Sequence, residues 1–192
     1  MNQPHRPQSC ALRERIAQLG IDNWEGHKFI PYHHLTAILE ATTVRDVIGE
    51  SGIMIYRSDE AVKAVLNGGQ RLFAILNALG KESLILNFKR VDSFLDKPLD
   101  SALPYEEPLL RGILEEDYRD FYDRQWSFVS PVFKRDLHER SLPKLSILPF
   151  TAVVPIGNQG DFANASLVKI PSSHQDIFQT SSHEVSDTMA ID

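Results

Sequence analysis

One cysteine in 192 residues, Cys10, leaves no way to form an internal disulfide. A reducing compartment is the default for such a chain. Basic residues are outnumbered, with 20 Lys and Arg against 26 Asp and Glu and a net charge of -6. No basic stripe is available to neutralise phosphates, so nucleic acid and anionic membrane surfaces are not expected partners. No apolar run approaches the roughly 20 residues that cross a bilayer. The first nine residues are polar and proline-containing, without the apolar centre of a secretory signal. These absences predict a soluble intracellular protein, cytoplasmic or nuclear.

What is present suits one domain with a sizeable core: 42% of residues are hydrophobic and 24% charged. The pattern is mostly helical. Leu12, Ile16 and Leu19 share a face, with Gly20 placed as a C-cap. Pro31 suits the start of a helix carrying Leu35, Ile38 and Leu39. Thr42 or Thr43 is placed to cap a helix with Val44, Val47 and Ile48. Ser58 is placed to cap a longer one running through Val62, Val65, Leu66, Phe73 and Leu76. Gly68-Gly69 lies inside that pattern and predicts a kink or a split. Another short helix is expected over 82–88. A proline-punctuated loop spans 91–108. Helix returns from Pro108 through Ile113, Tyr118, Phe121, Trp126 and Phe128, and ends before Pro131.

The character changes after that. Residues 146–150 and 151–156 are short apolar runs punctuated by Pro149 and Pro155, and Leu167 to Ile170 reads as a returning strand. From Pro171 the chain is rich in Ser, Thr and His. The expected fold is mainly α: a helical domain over 9–140, a short β hairpin within 146–170, and a disordered tail over 171–192. A two-stranded hairpin is marginal alone. It is therefore expected to be loosely held or to borrow a surface from the helical region.

Several residues invite chemistry. Gly157, Gly160 and Phe162 lie between two strands, where glycines let a backbone approach phosphate groups. A simple hairpin turn at Asn158-Gln159-Gly160 explains the same residues. Phe121, Trp126 and Phe128 either anchor the core or form an exposed patch for a protein partner. Glu115-Glu116-Asp117, Asp120 and Asp123 form an acidic run that suits a solvated face favoured by the helix dipole. His33 and His34 are adjacent and so diverge by about 100° on a helix, which is poor geometry for sharing one metal. Cys10 has no His or Asn context that would activate it. No catalytic or metal site is expected.

Four segments carry a resemblance when taken in order. They are Phe29-Ile30-Pro31 with His34-Leu35 to Val47-Ile48; Arg71-Leu72-Phe73-Ala74-Ile75-Leu76 with the loop at 96–105; Gln125-Trp126-Ser127-Phe128-Val129-Ser130-Pro131-Val132-Phe133; and Ile147-Leu148-Pro149-Phe150 leading to Pro155-Ile156-Gly157. The order resembles the helical N-terminal region of filamentous-fungal proteins with a protein-kinase-like domain, over about Lys28 to Gln175. The resemblance implies that Gly157, Gly160 and Phe162 descend from the glycine loop over ATP, with Ala163 in place of its third glycine. Lys169 comes too early for the ATP-binding lysine, and the H-R-D and D-F-G signatures are absent. Phosphoryl transfer depends on those groups. The expectation is a non-catalytic chain that stops just inside the kinase-like domain and acts through protein contacts. ATP and magnesium would then belong only to full-length relatives. A free-standing helical interaction module, and residual ATP binding by the loop, are the alternatives.

Overall fold

A computed structural model describes residues 6–92, 97–135, 141–156, 165–176 and 188–191. The mainly helical expectation holds. Helices α1 (Gln8–Gln18), α2 (Tyr32–Ile38), α3 (Ala41–Glu50), α4 (Ile55–Leu66), α5 (Gln70–Leu79), α6 (Ile85–Asp92), α7 (Glu107–Leu114) and α8 (Tyr118–Gln125) build the larger part. Their apolar faces meet in one core that includes Leu12, Val47, Val65, Phe73, Phe88 and Phe121. α5 is its centre, and Leu72 to Leu76 are all fully buried. A helix that is apolar most of the way round has to be surrounded by others.

The starts of these helices differ from the sequence expectation. Thr42 and Thr43 lie inside α3, whose N-cap is Glu40. Ser58 lies inside α4, which begins after Met54. Its hydroxyl donates back to the Met54 carbonyl at 3.4 Å, so it caps nothing. α1 ends at Gln18 with Leu19 as its C-cap, and Gly20 does not take the left-handed conformation.

The glycine pair does split its helix. Gly68 has φ +96°, which separates α4 from α5, and a Cβ there would lie 2.6 Å from Pro98 Cβ. A Cβ on Gly69 would lie 2.6 Å from the Ala64 carbonyl oxygen. The pair admits the loop that carries Pro98 and Leu99. That loop supplies what Gly69 cannot. Asp100 accepts the Arg71 N–H and the Leu72 N–H, each at 3.0 Å, and so caps α5 from outside. Burial pushes the Asp100 carboxyl above its usual range, and these backbone N–H groups pull it back.

The remaining described residues form short strands. β1 (Ile21–Asp22) and β2 (Lys28–Phe29) make a small antiparallel pair. β3 (Phe133–Lys134) runs parallel to β6 (Gln175–Asp176). β4 (Ala152–Ile156), β5 (Ala165–Lys169) and β7 (Thr188–Ile191) form an antiparallel sheet in the order β4-β5-β7. The expected hairpin is therefore present, with Ala152 opposite Lys169 and Ile156 opposite Ala165. Within the stretch expected to be a disordered tail, residues 171–176 hold a short 3-10 turn and β6, and 188–191 form β7. The other tail residues lie outside the described part.

Among the described residues, the hairpin does not pack on the helical core but carries a small one of its own. Phe150, Val168 and Ile170 form a second small core with Phe133, Leu148 and Val153. The β1–β2 turn joins it to the rest. Asn23 Oδ1 accepts the N–H groups of Glu25 and His27, at 3.0 and 2.9 Å, which shapes the turn. Asn23 Nδ2 donates to the Leu148 carbonyl at 3.1 Å, and the Trp24 N–H donates to the Phe150 carbonyl at 2.8 Å. On the other side, the Ile30 N–H donates to the Ser127 carbonyl at 2.7 Å.

Candidate functional site

Gly157, Gly160 and Phe162 fall outside the described residues. Only the strands on either side of them, β4 and β5, are described. Lys169 ends β5 with its side chain exposed, and its carbonyl accepts the Thr151 N–H at 2.8 Å.

Phe121, Trp126 and Phe128 do not form an exposed patch. All three are buried. Phe121 stacks on Phe88 at 5.5 Å, and Tyr122 meets Trp126 edge-on at 6.0 Å. The aromatic alternation along α8 is thus spent inside the protein, and the charged residues between are left to water. Glu115, Glu116, Asp120 and Asp123 are exposed, and Asp117 pairs with Lys81 at 2.6 Å. Gln125, next to Trp126, is fully buried, and its amide pairs with the backbone of Tyr105. The Tyr105 N–H donates to Gln125 Oε1 at 2.8 Å, and Gln125 Nε2 donates to the Tyr105 carbonyl at 3.1 Å. This fixes the proline-rich loop against the end of α8.

Two features were not foreseen from sequence. The first is an apolar run in water at the start of α4. Met54, Ile55 and Tyr56 are 63%, 93% and 79% exposed. The second is a cavity of about 280 Å³ beside Trp126, between α5, the 103–104 turn and the segment after α8. Arg71, Leu103, Trp126, Val129, Ser130 and Lys134 are among the residues of its wall. Arg71 lies over the Tyr32 ring at 4.5 Å. Three atoms of this wall, Arg71 Nε, Trp126 Nε1 and Ser130 Oγ, are buried without a hydrogen-bond partner.

His174 lies close by, although the sequence put it in a tail without structure. It is buried, its Nδ1 is 3.0 Å from the Pro131 carbonyl, and Phe29 meets its ring edge-on at 5.1 Å. Burial lowers its pKa, the contact with the Pro131 carbonyl raises it, and the Arg71 and His33 charges lower it further. The folded protein therefore holds His174 neutral where the unfolded chain already takes up a proton. The stability this contributes is complete above about pH 6.5. It is lost as the pH falls from there through the lowered folded value. Urea unfolding at pH 7.5 and 5.5 should show lower stability at the acid pH, and His174→Asn should flatten that slope. An equal slope in the variant would assign the effect elsewhere. His33 also has a lowered pKa, through burial and then its neighbour His34, whose ring lies 3.9 Å away.

Among the described residues, no group of three or more His, Cys, Asp or Glu is placed to hold a metal ion, and no helix is long and apolar enough to cross a membrane. Cys10 is a half-buried free thiol. No protein-family model, curated protein or solved structure matches this chain.

Proposed function

We propose that this chain is a non-catalytic region of a fungal protein-kinase-like protein and that it works through protein contacts. The exposed Met54-Ile55-Tyr56 run carries the proposal. Single exposed apolar residues are ordinary, but three large ones in succession at the start of a helix suit insertion into a partner. Among the described residues the rest of the helical surface offers no comparable run, and the aromatic residues of α8 are committed to the core. The partner this chemistry fits is a folded protein with an apolar groove. The kinase-like domain implied by the resemblance is the first to try, since a tethered partner acts at high effective concentration.

Sedimentation of this chain with the kinase-like domain of a fungal relative should show a complex. Ile55→Asp should weaken it tenfold or more without lowering the melting temperature, because Ile55 packs against almost nothing in the free chain. Absence of a complex, or a complex indifferent to Ile55→Asp, would remove the support for this function.

A further inference from the structure

The cavity beside Trp126 has the chemistry of an anion site. Two cations, Arg71 and Lys134, line it, and among the described residues none of its wall carries a carboxylate. None of the ion pairs among the described residues uses either cation. Asp100 interacts with the Arg71 charge, but its carboxylate is already engaged in capping α5. Trp126 and Ser130 are 7% and 4% exposed, and each has a polar atom without a partner. Buried polar groups are normally paired, and leaving one unpaired is unfavourable. An indole N–H and a guanidinium N–H can only donate. The wall thus asks its occupant for acceptors and negative charge. Leu103 and Val129 supply apolar surface beside these donors. At about 280 Å³ the space lies just below the roughly 300–1,000 Å³ of sites for drug-sized ligands.

We propose that this cavity binds a small organic monocarboxylate, with the carboxylate held by Arg71 and Ser130 and a compact apolar body against Leu103 and Val129. Arginine suits the role because its fork matches the two oxygens of a carboxylate. Lys134 adds a longer-range charge from β3. The proposal is independent of the protein-contact function, whose apolar run lies at the start of α4.

Benzoate is the probe, benzamide its uncharged counterpart, and inorganic phosphate the oxyanion without an apolar body. Fluorescence titration in a Trp24→Phe background leaves Trp126 as the sole reporter, because the chain has two tryptophans. Benzoate should bind at least tenfold more tightly than benzamide or phosphate. Arg71→Gln should weaken benzoate tenfold or more, and Lys134→Gln a few-fold, with the circular dichroism of both variants unchanged. If Arg71→Gln does not fold, the comparison of benzoate with benzamide and the Lys134→Gln result decide. The proposal is overturned if benzoate binds no better than benzamide, if phosphate matches it, if water alone serves these donors and no probe binds, or if a folded Arg71→Gln binds benzoate as before.

Discussion

Phe121→Ala should lower the unfolding free energy by about 3–5 kcal/mol, the usual cost of emptying a fully buried phenylalanine site. Phe121 is fully buried where α8 meets the core. Its ring stacks on Phe88 at 5.5 Å and meets Tyr105 edge-on at 6.3 Å. Removing it leaves both rings facing a void, and the stacked contact itself is worth about 0.5–1.5 kcal/mol beyond its area. Urea denaturation with an unchanged m-value is the measurement. A loss under about 1 kcal/mol would mean that the site collapses without cost. Tyr122→Ala is the comparison: Tyr122 is half-buried on the same helix, and its loss should be clearly smaller.

Gln125→Ala should cost about 2–6 kcal/mol, from two buried backbone groups left unpaired at about 1–3 kcal/mol each. The Gln125 amide imitates a strand partner, giving one bond and taking one from Tyr105. Gln125→Glu is the sharper test. A carboxylate can still accept from the Tyr105 N–H but cannot donate to its carbonyl, so it sets a buried charge against a carbonyl oxygen. Glutamate should therefore be no better tolerated than alanine near neutral pH, and should improve as acid protonates it. Thermal melts of both variants at pH 7.5 and 5.5 would show this. A fully stable Gln125→Glu at the higher pH would refute the paired-amide account.

The parts of this fold that were legible in the sequence are those set by local pattern. Leu12 with Ile16, and Val44 with Val47 and Ile48, mark buried faces because helical spacing is a property of the segment alone. The Gly68-Gly69 break was visible for the same reason. What replaces the missing cap was not, because Asp100 reaches α5 from 28 to 29 residues away. β1, β2, β3 and β6 are two residues each, too short to show a period. Asn23 and Gly26 were the available turn signals there. The choice between anchor and patch for Trp126 rested on whether other elements cover it, which no spacing along α8 reveals. The cavity is still less legible, since Arg71, Leu103, Ser130 and Lys134 meet only after α5, the loop and β3 have docked. Gly157, Gly160 and Phe162 remain a sequence argument.

The Asn23–Leu148 bond closes a span of 125 residues. A chain made from its N-terminus at about 5–20 residues per second reaches that partner roughly 6–25 s after Asn23 is added. The helices have what they need to collapse in the interval, but the small turn that carries Phe29 does not. Its apolar side, which ends beneath the His174 ring, has to wait in water until His174 has left the ribosome. That delay makes residues 21–30 a natural place for a chaperone to hold the nascent chain.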